Sequence, residues 1–178
     1  MGGAVLLHTQ LLNQAEMLAK KEPRRPKQAS LRRSVSASYY AVFHFLIFQA
    51  TQSLIGTKHD LRGLRQLTAR AFNHGEMKSA CKSFQSGIGG MPKIIKNVVP
   101  PLTVPPQLQL LASHFVWLQE QRHDADYNLF RTFRKRDALS AHERARAVIK
   151  DLWPAVKDHD EARFFLLSLL TWKSISNR

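Results

Sequence analysis

The stretch from Leu31 to Phe48, LRRSVSASYYAVFHFLIF, constrains the fold more than any other part of the chain. Apolar residues recur in it every three to four positions, and neither Gly nor Pro interrupts them, which predicts one long helix. Its broad apolar arc contains Leu31, Val35, Tyr39, Val42, Phe43, Leu46 and Ile47. Because so wide an arc needs partners on more than one side, we expect this helix to lie at the centre of a helical core.

A second edge of the same helix carries polar groups. Arg33, Ala37, Tyr40 and His44 follow one another at spacings of four, three and four residues, so they share one side of a helix. This spacing places a guanidinium, a phenol and an imidazole in line, and we expect functional residues there.

The remaining pattern predicts an all-α fold, an antiparallel bundle of five or six helices in a single domain spanning residues 1–178. The first helix is expected from Ala4 to about Lys21, with Leu7, Leu11, Ala15 and Leu18 on its buried face. The other helices are expected from Gln28 to Leu54 or Ile55 before Gly56, from an Asp60 N-cap through Phe72, from about Pro106, from a Ser140 and Glu143 capping box, and from Asp160 to Trp172.

Residues 86–106, SGIGGMPKIIKNVVPPLTVPP, break this pattern. Three glycines and five prolines forbid a continuous helix, so we expect an irregular insertion with a short helical or extended piece at Lys93–Val99. A long connection of this kind is a functional segment, a mobile one or a surface decoration, and the sequence leaves these alternatives open.

The chain is strongly basic. Its 27 Lys and Arg residues exceed its 13 Asp and Glu residues, for a formal net charge of +14. Such a surplus attracts polyanions, of which nucleic acid is the usual one; general solubility, an anionic lipid surface or an acidic protein partner are the alternatives. Several of the basic residues fall in three runs, Lys20 to Lys27, Arg32 with Arg33, and Arg131 to Arg136.

Other classes of protein are disfavoured. The single cysteine, Cys81, excludes an internal disulfide framework and a cysteine zinc site, and it is expected to be a small core residue. We find no metal-ligand spacing, no cofactor-binding motif, no signal peptide and no apolar run approaching about 18 residues. We therefore expect a cytoplasmic protein without a cofactor, a metal or a membrane segment.

The segment QLQLLASHFVWLQEQRHDADYN predicts a helix in which the spacing of the apolar residues continues onto charged residues. Leu108, Leu111, Phe115 and Leu118 continue at the same spacing into Arg122, Asp126 and Leu129. An arginine facing a core is costly unless it is paired, so we expect Arg122 to pair with Asp126 four residues later.

The segment after Tyr127, NLFRTFRKRDA, predicts an arginine-rich loop. Phe130 and Phe133 alternate in it with basic residues that include Arg131 and Arg134. Interleaved aromatic rings and guanidinium groups suit stacking on unpaired bases and contact with phosphates. Alternatively, the two rings hold the loop against the core while the charges face water.

Two segments together resemble the small, single-domain prokaryotic branch of the HEPN superfamily. RRSVSASYYAVFHFL is similar to its signature of two arginines followed by a serine and a YYA-x-FH run, and Arg122, Asp126 and Tyr127 match its R-x-x-x-D-Y signature. The resemblance implies an antiparallel helical bundle that forms homodimers, and an RNA- or nucleotide-binding protein of a toxin–antitoxin or phage-defence system. The candidate binding residues are Arg33, Tyr40, Asp126, Tyr127, Arg131 and Arg134.

The resemblance also implies an alternative, a metal-independent endoribonuclease toxin. RNA-cleaving members carry a histidine four to six residues after the arginine, where this chain has Asp126, Tyr127 and Asn128. The candidate catalytic pair is therefore Arg122, to hold the phosphate, and His44, to transfer a proton. Two further alternatives remain: a buried network of these residues that only fixes helix packing, and a protein-interaction module that partners a nucleotidyltransferase-like antitoxin.

Overall fold

The structure is a computed structural model that describes residues 6–98 and 103–176. The predicted all-α fold is confirmed, since these residues form helices and turns and include no β-strand. The α-helices are α1 (Leu7–Lys20), α2 (Gln28–Ile55), α3 (Arg62–Ala69), α4 (His74–Gln85), α5 (Lys93–Val98), α6 (Pro106–Tyr127), α7 (Lys135–Ala147), α8 (Trp153–Val156) and α9 (Asp160–Ser176). Two 3₁₀ segments, His59–Leu61 and Gly87–Gly90, and one π-helical segment, Val148–Leu152, complete the described elements.

The described residues fall into two compact units. The first unit contains the chain up to Phe45 together with Trp117–Asp151, and the second contains Leu46–Val116 together with the chain from Leu152 onward. The first unit therefore holds α1, the first part of α2, the last part of α6, and α7. It contains all the candidate site residues predicted above.

Helix α2 agrees closely with the sequence-based prediction. It runs from Gln28 to Ile55, and the whole predicted arc from Leu31 to Ile47 is buried. Gly56 follows with a φ of +98°, and its N–H donates to the carbonyl of Gln52 over 3.0 Å. A glycine tolerates this left-handed conformation without strain, which explains why the helix ends there.

Helix α1 buries a different face from the predicted one. His8, Leu12, Ala15 and Ala19 are its buried residues, whereas Leu7 is exposed and both Leu11 and Leu18 are half-buried. This face approaches α2 closely at Ala15, where the Ser34 hydroxyl donates to the Ala15 carbonyl over 2.7 Å. Helix α1 also packs against α7.

Helix α7 begins before the predicted capping box. The structure starts it at Lys135, where the Asp137 carboxylate accepts a 2.7 Å hydrogen bond from the N–H of Arg134. Asp137 therefore fills the role that was predicted for Glu143, and Ser140 lies inside the helix. The prediction overlooked that an acidic residue near the start of a helix can accept from its first N–H groups.

The second unit has its own apolar core. Helices α4 and α9 pack together, and the ring centroids of Phe84 and Phe165 are 4.9 Å apart in an edge-to-face arrangement. Cys81 is buried in α4, as predicted for a small core residue. The apolar face of α9 is buried as well, so the last helix closes this core.

The 56–106 region differs in detail from the prediction. Asp60 lies inside a 3₁₀ turn and does not cap a helix, whereas Asn73 caps α4 by accepting from the N–H of Glu76 over 2.9 Å. Within the predicted insertion, α5 supplies the expected short helix, and residues 99–102 lie outside the described ones. Met91, Ile95 and Val104 are buried, so this segment contributes to the second core.

None of the helices in residues 6–98 and 103–176 has the length and apolar character needed to cross a membrane.

Candidate functional site

Arg122 of α6 and Tyr40 of α2 meet in the first unit. The guanidinium donates from Nη2 to the Tyr40 hydroxyl over 2.6 Å, and its Nε lies 2.7 Å from Oδ2 of Asp126. The predicted pairing of Arg122 with Asp126 is confirmed. The guanidinium carbon also lies 5.3 Å from the centroid of the Tyr40 ring and 5.5 Å from that of Tyr127, so two aromatic rings flank the charge.

Besides Arg122 on its own helix, Asp126 has a partner on α2. The Ser36 hydroxyl donates to Oδ1 of Asp126, which leaves the carboxylate held by one group from each helix. Ser36 was not among the predicted site residues, although it lies one helical turn before Tyr40. This mutual arrangement locks the register of α2 against α6 in the first unit.

The Arg122 guanidinium stays charged throughout the physiological range. Burial lowers the pKa of Arg122, but the acidic groups of Tyr40, Asp126 and Tyr127 together raise it by more, so the net change is upward. A permanent positive charge is therefore fixed between α2 and α6.

His44 reaches this network through the Tyr40 ring. The two rings are stacked with centroids 6.2 Å apart, and the Phe43 ring meets the imidazole edge-on at 5.4 Å. Burial lowers the pKa of His44, so the imidazole is neutral at neutral pH. Among residues 6–98 and 103–176, no hydrogen bond joins His44 to Arg122.

Arg32, which was not predicted as a site residue, holds the end of α6. Its guanidinium donates to the carbonyls of Ala125 over 2.8 Å and of Asn128 over 2.9 Å, and also to that of Arg131. The last carbonyls of a helix lack partners within the helix, so a guanidinium at this point stabilises its end. Arg32, Ser36, Tyr40 and His44 are each four residues apart, which is the sequence signal that would have found the contacting edge.

The loop at residues 128–134, which we call the α6–α7 loop, is anchored by Phe133. Phe133 is 1% exposed, and the guanidinium carbons of Arg131 and Arg32 lie 4.6 Å and 5.6 Å from its ring centroid. The Gln28 amide donates to the Phe133 carbonyl over 2.7 Å and accepts from its N–H over 2.9 Å. Arg131 pairs with the Asp124 carboxylate, so this predicted binding residue takes part in the anchor.

The outer part of the same loop is exposed. The Phe130 side chain is 98% exposed, and Tyr127 and Leu129 beside it are also exposed. The Asn128 side chain accepts from the N–H groups of both Phe130 and Arg131 over 3.2 Å, which fixes the turn that carries Phe130. The prediction that an aromatic ring holds the loop against the core is confirmed for Phe133, whereas Phe130 faces outward. The predicted stripe position of Leu129 is wrong, because α6 ends at Tyr127.

The two remaining predicted residues, among those that the structure describes, have no hydrogen bond or ion pair with Arg122 or Asp126. Arg134 is exposed at the start of α7. Arg33 is exposed and lines a cleft of about 520 Å³ between α1 and α2, which we call the α1–α2 cleft. The cleft is lined by Leu11, Gln14, Leu18, Lys21, Ala29, Ser30, Arg33, Ser36, Ala37 and Tyr40.

In the part of the chain that the structure describes, no group of three or more His, Cys, Asp or Glu side chains is arranged to hold a metal ion.

Comparison with known protein families, with curated proteins and with solved structures finds no match to this chain.

Proposed function

We propose that this chain is a HEPN-like RNA- or nucleotide-binding protein that contacts single-stranded RNA through the α6–α7 loop. The observation that carries the proposal is Phe130, a 98% exposed aromatic ring on an anchored loop. Unpaired bases stack on exposed aromatic side chains, and such stacking contributes about 1–3 kcal/mol per base.

The anchoring of the loop supports this role. Gln28, Arg32 and Phe133 hold its base, and the Asn128 side chain holds its turn. A loop whose backbone is already fixed loses little conformational entropy on binding, so more of the stacking energy remains as affinity.

The basic residues that follow Phe130 in the chain support it as well. Arg134 and Arg136 are exposed at the start of α7, and the nearest acidic group to Arg136 is 3.8 Å away in a solvated pair with Asp137. Exposed cations in the residues that follow an exposed aromatic ring suit a ligand that alternates phosphates with bases. Binding of this kind weakens steeply as salt is added, because each phosphate contact releases counterions.

A metal-independent endoribonuclease is the second candidate. The observation that favours it is the neutral, half-exposed imidazole of His44, which can accept a proton at neutral pH. The Arg122 guanidinium is occupied by Tyr40 and Asp126, so cleavage would require an RNA phosphate to compete with those partners.

Gel retardation and cleavage of labelled single-stranded RNA, without added metal and at two salt concentrations, test both candidates. We expect retardation that weakens with salt, strong loss in Phe130→Ala, and no cleavage. Phe130→Leu is the matched control, because it keeps an exposed apolar side chain and removes only the aromatic ring. We expect it to bind nearly as weakly as Phe130→Ala.

Three results would count against the RNA-binding proposal. A flat salt response would exclude phosphate contacts as the source of affinity. Equal retardation by wild type and both Phe130 variants would remove the loop from the interface. Cleavage that is lost in His44→Ala would instead establish the second candidate.

A further inference from the structure

The α1–α2 cleft is large enough to be a small-molecule site. Its volume of about 520 Å³ lies within the range of roughly 300–1,000 Å³ that ligand pockets occupy. Its lining comes from two helices and the turn that joins them, so the cleft is formed by the fold of the first unit alone.

The charged residues that line the cleft are both cations. They are Lys21 and Arg33, and no Asp or Glu is among the lining residues. In residues 6–98 and 103–176 neither side chain has a hydrogen bond or an ion pair, whereas Arg32 and Arg122 are engaged by protein groups. An available guanidinium and an ammonium in the lining of one cleft suit a phosphate group, which a guanidinium binds through two parallel hydrogen bonds.

The rest of the cleft is suited to a flat, largely apolar body. Leu11, Leu18 and the Tyr40 ring supply apolar and aromatic surface. Polar groups are also available, namely the Gln14 amide and the Ser30 hydroxyl, whose hydrogen goes to Glu22 over 3.0 Å and whose oxygen can still accept. Inorganic phosphate alone would leave this surface uncovered.

We infer that the α1–α2 cleft binds one nucleoside monophosphate, with its phosphate at Lys21 and Arg33 and its base against Leu11, Leu18 and Tyr40. The nucleotide is either free or a single residue of a bound RNA. The inference rests on the proposed function for its ligand class, but it uses residues separate from the α6–α7 loop.

A ligand in the cleft would touch the Arg122 network. Ser36 and Tyr40 line the cleft, and their hydroxyl groups are bonded to Asp126 and Arg122 respectively. Two side chains of α2 therefore line the cleft and also bond residues near the end of α6.

Calorimetric titration with nucleoside 5′-monophosphates, the matching nucleosides and inorganic phosphate tests the inference. We expect a monophosphate to bind more tightly than either its nucleoside or inorganic phosphate. Arg33→Ala should weaken that binding by about tenfold or more, because a charge-assisted contact is lost. Ala29→Leu, at an exposed helical position that lines the cleft, should also weaken it by filling space.

Arg163→Ala is the matched control, since it removes one exposed cation from α9 in the second unit. It should bind the monophosphate as wild type does. Equal affinity for the monophosphate and inorganic phosphate would overturn the inference, as would unchanged binding in both Arg33→Ala and Ala29→Leu.

RNA retardation with the same proteins separates this inference from the proposed function. Retardation that depends on Phe130, without monophosphate binding, would remove the cleft site and leave the proposed function standing. Monophosphate binding without RNA retardation would support the cleft site and count against the proposed RNA binding. If the monophosphate binds, a competition experiment with RNA identifies the natural occupant of the cleft. Displacement of RNA by the monophosphate would show that the cleft holds a residue of the RNA, and a lack of displacement would show that it holds a free nucleotide.

Discussion

The Tyr40 hydroxyl accepts a 2.6 Å hydrogen bond from the Arg122 guanidinium, although the two residues are 82 positions apart in the chain. The same guanidinium lies 5.3 Å from the centroid of the Tyr40 ring. One side chain of α2 therefore gives a partly buried charge both a hydrogen-bond acceptor and an aromatic ring, and this pair is the centre of the α2–α6 contact in the first unit.

Tyr40→Phe should lower the free energy of unfolding by about 1–2 kcal/mol, because hydrogen bonds to charged groups contribute roughly 1.5–3 kcal/mol and the aromatic ring is kept. Denaturant titration measures the change. Tyr127→Phe is the matched control, since that exposed tyrosine contacts Arg122 through its ring. Similar losses in the two variants would show that the Tyr40 hydroxyl has no special role.

Asp126→Asn should destabilise the protein by roughly 1–3 kcal/mol, because it leaves the Arg122 charge without its carboxylate in a site that is only partly exposed. The same titration, with Asp158→Asn as a control at an exposed ion pair, measures the effect. We expect the control to change stability by less than about 0.5 kcal/mol. The prediction fails if both variants are equally stable.

Arg32→Lys should loosen the α6–α7 loop, because an ammonium cannot reach the several carbonyls that the guanidinium fork bonds at once. We expect a loss of about 1–3 kcal/mol in stability and faster trypsin cleavage after Arg131 or Arg134. Arg33→Lys is the matched control at the next position, where the side chain is exposed. Identical cleavage rates in the two variants would contradict the proposed anchor.

Acidification should destabilise the protein below about pH 6.5, the ordinary pKa of histidine. Burial is the main cause that lowers the pKa values of His8, His44 and His142. As pH falls through this value the unfolded chain binds protons that the folded chain does not, so stability decreases until the lowered folded pKa values are passed. Unfolding free energies at several pH values between about 7.5 and 5 measure the slope.

His44→Gln should reduce that slope, because it removes one of the groups whose pKa is lowered by burial. A slope that is the same in wild type and His44→Gln would show that His44 does not titrate differently on unfolding.

The Cys81 thiol should resist alkylation in the folded protein. It is fully buried, and burial raises the pKa of Cys81 well above its ordinary value, so little reactive thiolate forms. Mass spectrometry after treatment with iodoacetamide, with and without denaturant, measures the labelled fraction. Rapid labelling without denaturant would show that α4 opens easily.

The sequence predicted α2 well because a long helix repeats its pattern many times. Its bounds from Gln28 to Ile55 and its glycine end follow from periodicity and from the special backbone of Gly56. The same reasoning failed for α1, because three leucines indicated one face, whereas the buried face is that of His8, Leu12, Ala15 and Ala19. Periodicity identifies apolar faces, but close approach between two particular helices depends on the shape of both.

The edge of α2 that contacts α6 differs from the predicted edge by one residue. Arg33 and Ala37 were predicted to share an edge with Tyr40, but Arg32 and Ser36 make the contacts with the end of α6. Spacings of three and four residues are equally compatible with a helix, so periodicity alone cannot distinguish the two edges. The pairing of Arg122 with Asp126 was predictable because both partners are on one helix, whereas the partners of Arg32 are more than ninety positions away.

The distance along the chain between Arg32 and its partners has a consequence for synthesis. The hydrogen bond from Arg32 to the Arg131 carbonyl joins residues 99 positions apart. During translation, α2 leaves the ribosome long before the loop that its arginine holds. Closing so long a segment is entropically costly, so this contact forms late in folding. A nascent chain that stops before residue 131 has the helix that supplies the anchor, but it cannot yet display Phe130 in its final position.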